Sequence, residues 1–441
     1  MGMERRGCIR QSNRYSTEQS EGDKGEKMTK PVNIPKQLVM QAYKLVKANA
    51  GAGGVDRQSM EDFEVNLKDN LYKIWNRLSS GSYFPPPVKA VAIPKKTGGE
   101  RILGVPTVSD RIAQAVVRLC FEPCVEPHFL PDSYGYRPNK SALNAIGVTR
   151  ERCWYYNWVV EFDIRGLFDN ISHELLLKAV KKHTECKWII LYIERWLKAP
   201  MQMPDGSLQQ RDRGTPQGGV ISPVLSNLFM HYVFDVWMKK MHSNNPWCRY
   251  ADDGLVHCKS EAEAQAMLEA LKKRFEECEL ELHPVKTRIV YCKDGARKGR
   301  CTNKSFDFLG YTFRARACKN TKRNSMFINF TPAVSKTAVK AMRAKIRRDD
   351  VRNRTDLSLE EIAKWYNPIL QGWLNYYGSY SRSGMYPVWR HFNKTLVAWA
   401  VRKYKSYRQR KTWASKFLEG ISKRRPMLFV HWRNGMQGAF A

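Results

Sequence analysis

The sequence predicts an α+β protein: an antiparallel sheet with its helices over most of the chain, then a helical region in the last quarter. Three stretches carry that reading. Residues 247–258 read as strand, tight turn, strand. Tyr250 ends one extended run, Gly254 opens the next, and Leu255 and Val256 favour extended backbone. Residues 157–164 form a hydrophobic strand with one carboxylate near its end. A connection at 165–170 follows, then a helix capped by Ser172 with Leu175, Leu176, Ala179 and Val180 on one side. Beyond Thr331 the spacing turns helical: Lys336, Lys340, Arg343 and Arg347 share one face, and Val339, Met342 and Ile346 form the apolar one.

The chain has 441 residues, enough for two or three domains and a large core. A hydrophobic content of 43% with 13 Trp argues against disorder. The first thirty residues are polar and charged with no apolar segment, so they are expected to be a flexible leader and not a secretory signal. No apolar run is long enough for a membrane helix. The eleven Cys include no C-x-x-C pair, so no zinc site is expected, and a reduced cytoplasmic compartment with free thiols is. The net charge of +33 points to a polyanionic partner bound through phosphate contacts. From Thr331 to the end, Lys and Arg outnumber Asp and Glu 23 to 6 and 17 aromatics are interleaved, a composition suited to gripping nucleic acid.

Taken in order, residues 34–50 read as a helix and 49–56 as a Gly-rich loop that lacks the P-loop pattern. Residues 60–80 read as one helix ending at Gly81. The three prolines at 85–87 stop any helix, and 88–94 and 101–105 form a basic hairpin around the turn 95–100. Ser109 opens an amphipathic helix to about Cys124, and 131–138 is a loop. Residues 211–220 are a Gly-rich loop before a helix with its cap at Ser222. Residues 260–280 are a charged helix, and 306–313 a strand pair around Gly310. Thr331-Pro332 starts the helical region, with Pro near the first helical position. Ser358 and Glu361 form a capping box for a helix that Pro368 should kink.

The chemistry centres on Asp252 and Asp253 at the hairpin tip. Adjacent like charges repel unless a cation neutralises them, and hard oxygen ligands on a short turn suit Mg²⁺. If the strand ending at Asp163 lies beside the hairpin, three carboxylates converge, as two-metal phosphoryl transfer requires. The alternative for each stretch is a plain polar turn or strand end.

Tyr-Ala-Asp-Asp in a hairpin, preceded by Phe-Asp-Ile and by Gln-Gly-Gly at 217–219, resembles a reverse transcriptase palm. From about residue 35 to 430 the chain resembles the reverse transcriptase/maturase encoded by bacterial group II introns. The resemblance implies a right-hand polymerase: fingers and palm over 31–325, a helical thumb/maturase domain over 326–425, a leader at 1–30 and a tail at 426–441. It implies Asp163, Asp252 and Asp253 as catalytic residues, with Ile164 joining them in holding two Mg²⁺ ions. Lys95, Arg101, Phe168 and Gln217 would meet the nucleotide. Lys286, Gly310, Lys336, Lys340, Arg343 and Arg347 would meet nucleic acid. Asp169 matches no catalytic position and reads as a cap or turn residue. Residues 133–138 resemble the family's Ser-Tyr-Gly-Phe-Arg-Pro segment with Tyr136 in place of Phe, and Arg137 is either a template contact or structural.

The implied partners are group II intron RNA, an RNA template with its DNA primer, target DNA and dNTPs. No membrane is implied, homodimerisation stays open, and the place is the cytoplasm, at the nucleoid when on DNA. With few Cys or His late in the chain, a C-terminal zinc endonuclease is not expected. Two other readings remain: a domesticated reverse transcriptase in host defence or DNA repair, and an RNA-binding splicing factor without polymerase activity.

Overall fold

The computed structural model describes residues 32–49, 51–94, 99–299, 301–320, 323–438 and 440. The expected leader at 1–30 lies outside them. The chain divides into two units, one of residues up to 141 with 162–256 and 265–288, the other of 142–161, 257–264 and 289–441. The architecture is α+β, 52% helical.

In the first unit, β1 (Val88–Pro94) and β2 (Glu100–Val105) pair antiparallel as the predicted basic hairpin. β3 (Trp158–Asp163), of which Phe162 and Asp163 belong to this unit, is the strand ending in Asp163. Short strands β4 (Met201–Gln202) and β5 (Leu208–Gln209) extend the hairpin into a sheet of order β2-β1-β4-β5. β6 (Trp247–Tyr250) and β7 (Asp253–Cys258) form the hairpin, with Tyr250 paired to Asp253 across a two-residue turn. With β8 (Arg288–Tyr291) they give the order β6-β7-β3-β8, which sets the Asp163 strand directly beside the Asp253 strand.

The helices depart from expectation at their ends. Residues 60–80 form two helices, Met60–Val65 and Leu67–Ser79, because Ser59 and Asp62 make a capping box and the chain breaks at Asn66. The next long helix, Val108–Val125, is capped by Thr107, whose side chain accepts from the Asp110 amide, and not opened by Ser109. Ser172 holds the N-cap position of His173–His183 but makes no side-chain cap; its backbone bridges to Arg213 instead. Ser222 lies inside its helix, where its hydroxyl bonds that of Thr215 at 2.8 Å.

In the second unit, β9 (Ser305–Phe308), β10 (Tyr311–Asn320) and β11 (Ser325–Val334) form an antiparallel sheet. Leu309 and Gly310 both have positive φ, the geometry of the tightest hairpin turns, so the strand pair around Gly310 stands. Thr331-Pro332 does not start a helix. β11 is an edge strand, where a proline's missing N–H breaks no ladder bond, and the helix Lys336–Arg348 begins after Ser335, whose side chain accepts from the Ala338 amide. The Ser358–Glu361 capping box is present, and the helix it opens, Leu359–Tyr377, runs on through Pro368. Apolar residues from Met342, Ile346, Tyr366, Leu370, Phe392, Trp399 and Trp432 fuse the helices into one core. No disulfide joins the described cysteines, and no described helix is long and apolar enough to cross a membrane.

Candidate active site

Each of the three carboxylates is placed by backbone pairing. Asp163 ends β3, and its carbonyl accepts the His283 amide at 2.8 Å. Ile164 bridges to Leu282, and the Arg165 amide bonds the Glu281 carbonyl at 2.9 Å. This short zipper carries Lys286 to the site, where its ammonium donates to Asp163 Oδ2 at 2.8 Å. Asp252 occupies the hairpin turn and Asp253 opens β7. The turn needs Ala251 at φ 58°, and Gly254 passes so close to Phe162 that a Cβ would lie 2.1 Å from the ring.

The trio converges. The Asp163 and Asp252 charges both bear on Asp253. Burial, then those charges, pushes Asp253 up to about 8. Asp252 is raised too, chiefly by burial and also by Asp163, with Arg101 and Lys286 pulling the other way. Carboxylates crowded this way, all hard oxygen donors, fit a divalent cation that would favour their ionised forms. Among the described residues no group of three or more Asp, Glu, His or Cys side chains could hold a metal ion as they stand. Lys286 holds Asp163 Oδ2, an oxygen that has to be released for a cation to share the group.

These shifts give a stability prediction. An Asp in the unfolded chain titrates near ~3.9, whereas Asp253 is held up to about 8. Its ionisation therefore opposes folding: the stability is complete below ~4 and is lost as pH rises toward about 8. In EDTA the melting temperature is expected to fall across that window, less so for Asp253→Asn, and Mg²⁺ is expected to restore it most at high pH. Identical, flat pH profiles for both proteins contradict this.

Of the expected nucleotide contacts, Lys95 lies outside the described residues. Arg101 is exposed on β2, and its charge reaches Asp252. Phe168 is half-buried in the turn Leu167–Asn170, and its carbonyl accepts the Thr215 amide at 2.6 Å. Gln217 belongs to a loop stitched to β2, because the Gly104 amide donates to its carbonyl at 3.0 Å. Gly218, at φ 130°, packs where a Cβ would stand 2.7 Å from the Gly104 carbonyl. The Gln217 amide donates to both Asp169 oxygens at 3.1 and 3.2 Å, so Asp169, read from sequence as a turn residue, orients Gln217.

In the second unit, Lys336, Lys340 and Arg347 are exposed on one helix, whereas Arg343 is half-buried and donates to the Pro387 carbonyl at 2.9 Å. Gly310 faces Tyr377, and its carbonyl accepts the Ser335 amide at 2.9 Å.

Sequence reasoning missed two buried hubs. Arg249 and Asp235, both fully buried, form a bidentate pair at 2.8 and 2.7 Å. The Arg249 guanidinium also donates to Ala251 O at 3.0 Å, Asn227 Oδ1 at 3.3 Å and Ser133 Oγ at 2.8 Å. It thereby fixes the turn that carries Asp252. A π-helical turn, His231–Asp235, presents Asp235 to it. In the second hub, Asp110 accepts from Tyr83, Trp196 and Gln114, while Gln114 Oε1 accepts the Val220 amide at 2.8 Å behind the Gln-Gly-Gly loop. Burial raises Asp110 to about 6. The only signal in the sequence was polar residues inside otherwise apolar runs.

Residues 93–313, half of the chain, match the family model of reverse transcriptase (RNA-dependent DNA polymerase), and residues 339–417 match that of the group II intron maturase-specific domain. The chain belongs to the group II intron reverse transcriptase/maturase family. Its enzyme class is RNA-directed DNA polymerase. It is 27% identical over 423 residues to the group II intron-encoded protein LtrA of Lactococcus lactis subsp. cremoris, covering 76% of this chain and 68% of LtrA. It is 29% identical to protein YkfC of Escherichia coli over 65% of this chain and 82% of YkfC. To the putative COX1/OXI3 intron 1 protein of Saccharomyces cerevisiae it is 31% identical, over 46% of this reverse transcriptase and 24% of that protein.

Proposed function

We propose that this reverse transcriptase extends a DNA primer with dNTPs on an RNA template, at the site formed by Asp163, Asp252 and Asp253, and binds group II intron RNA to assist its splicing and mobility. What supports the catalytic part is that β7 lies beside β3, with Asp163 at the end of one, Asp253 opening the other and Asp252 in the hairpin turn. Asp163, Asp252 and Asp253, with Ile164 beside them, would hold two Mg²⁺ ions. When bound, these lower the pKa of the primer hydroxyl and neutralise the departing pyrophosphate.

The chain's own residues do the positioning. Arg101 and, by the family resemblance, Lys95 offset triphosphate charge. Phe168 packs against the sugar and selects against a 2′-OH. Gln217, steadied by Asp169, meets the nucleotide. Lys286 holds Asp163 in place until a cation competes for it.

Lys336, Lys340 and Arg347, with Arg343 anchoring their helix, line an unshielded basic face for nucleic acid phosphates. Gly310 lets the β9–β10 turn approach a primer strand closely. The working division is fingers and palm over 31–325 and thumb/maturase over 326–425.

Primer extension on matched RNA and DNA templates tests the polymerase reading, and splicing of a group II intron RNA with and without the protein tests the maturase reading. Extension on RNA with dNTPs, and splicing at lower Mg²⁺ when protein is added, are the expected results. No extension on either template would leave only an RNA-binding splicing factor.

A further inference from the structure

The loop 131–138 is bound to the β6–β7 hairpin more tightly than a connecting loop requires. The Arg249 amide donates to the Asp132 carbonyl at 3.0 Å, and the Tyr134 amide to the Arg249 carbonyl at 2.9 Å, so the loop runs as a short parallel extension of β6. The buried Asn227 amide donates to Gly135 O at 2.6 Å. A Cβ on Gly135 would lie 2.5 Å from the Ala251 nitrogen, so the loop backbone rests on the backbone of the turn itself. Arg137 is not available to a template. Its guanidinium donates to Leu130 O at 2.7 Å, Ser133 O at 2.8 Å and Glu126 Oε1 at 2.9 Å.

One side chain of this loop stays uncommitted. Tyr136 is 51% exposed, and among the described residues its hydroxyl has no hydrogen-bond partner. Its backbone is left-handed at φ 56°, uncommon for a bulky residue, and follows Gly135, which rests on the equally left-handed Ala251 at φ 58°. Its ring centroid is 6.4 Å from that of Tyr250, two residues from Asp252. The phenol is raised first by burial and next by the Asp252 carboxylate. Backbone strain held by surrounding bonds, spent on displaying one open aromatic face, is how functional positions look.

We propose that Tyr136 is a stacking platform for the templating base that pairs with the incoming dNTP. It acts as a positioning residue that lowers the KM for the nucleotide. An aromatic face stacks on any base, so the contact is sequence-tolerant, as template copying needs. The proposal rests on the polymerase reading and deepens it.

Single-nucleotide addition on a primed RNA template tests it. Tyr136→Ala is expected to raise the KM for dNTP about tenfold with kcat little changed, within the range of base–aromatic stacking. Tyr136→Phe should restore the wild-type value. Tyr136→Gly, which relieves the left-handed strain, should raise KM equally while the protein melts no lower than wild type. On a template with an abasic site opposite the incoming nucleotide, the difference between wild type and Tyr136→Ala should vanish. Wild-type KM values in both the Ala and Gly variants, or an undiminished difference on the abasic template, would overturn the platform. Failure of the wild-type protein to add any nucleotide would instead overturn the polymerase reading.

Discussion

Arg249→Met is expected to lower the unfolding free energy by about 3–5 kcal/mol, the effect of removing one partner from a buried ion pair. Asp235 is fully buried, its carboxyl is already pushed up by desolvation, and Arg249 is what opposes that push. Methionine fills part of the volume but leaves the buried Asp235 without its guanidinium partner, and Ser133 Oγ, Asn227 Oδ1 and Ala251 O lose a donor. Urea denaturation followed by tryptophan fluorescence reads the loss. The double variant Arg249→Met/Asp235→Leu should recover part of it, because an apolar pair leaves no buried charge. A single variant within ~0.5 kcal/mol of wild type, the scale of an ordinary surface substitution, would mean that the pair does not hold the hairpin.

Asp252→Asn is expected to reduce single-nucleotide addition by ~10³-fold or more, since metal-borne charge stabilisation contributes several kcal/mol and each 1.36 kcal/mol is tenfold. Unfolding does not explain such a loss. Asp252 is raised by burial and by the neighbouring Asp163, so removing its charge relieves repulsion and should leave the melting temperature equal or higher. RNA binding should be unchanged, because the exposed basic face of Lys336, Lys340 and Arg347 does not include it. Quench-flow or gel-based extension measures the rate, and filter binding the affinity. Retained extension would remove Asp252 from the site.

How much of this was written in the chain follows from how local each signal is. Asp252 and Asp253 were legible because a two-residue hairpin turn is encoded by neighbours, and Asp163 because a strand ending in a carboxylate before a helix is a short pattern. Their meeting depends on β7 lying beside β3, a long-range pairing that the family resemblance supplied and periodicity could not. The pairing of Arg249 with Asp235 was not legible, since nothing in a linear chain marks a π-helical turn that brings one onto the other. Arg137 was readable as a cation but not as the clamp of its own loop. At Thr331-Pro332 a helix-start signal and an edge-strand position share one appearance, and the tertiary setting chose the strand, leaving Ser335 as the cap. Gln217 was singled out as a candidate, but its partner Asp169 was not, because a carboxylate 48 residues away carries no mark of its target.

The claim beneath all of this is that Asp163, Asp252 and Asp253 share divalent ions. Titration of Mn²⁺ into the protein bound to a primed RNA template and an unreactive dNTP analogue, followed by electron paramagnetic resonance, tests it most directly. Two tightly bound ions per chain in the wild type, and loss of at least one in both Asp163→Asn and Asp252→Asn, is the result the account predicts. Equal numbers of bound ions in all three proteins would contradict it.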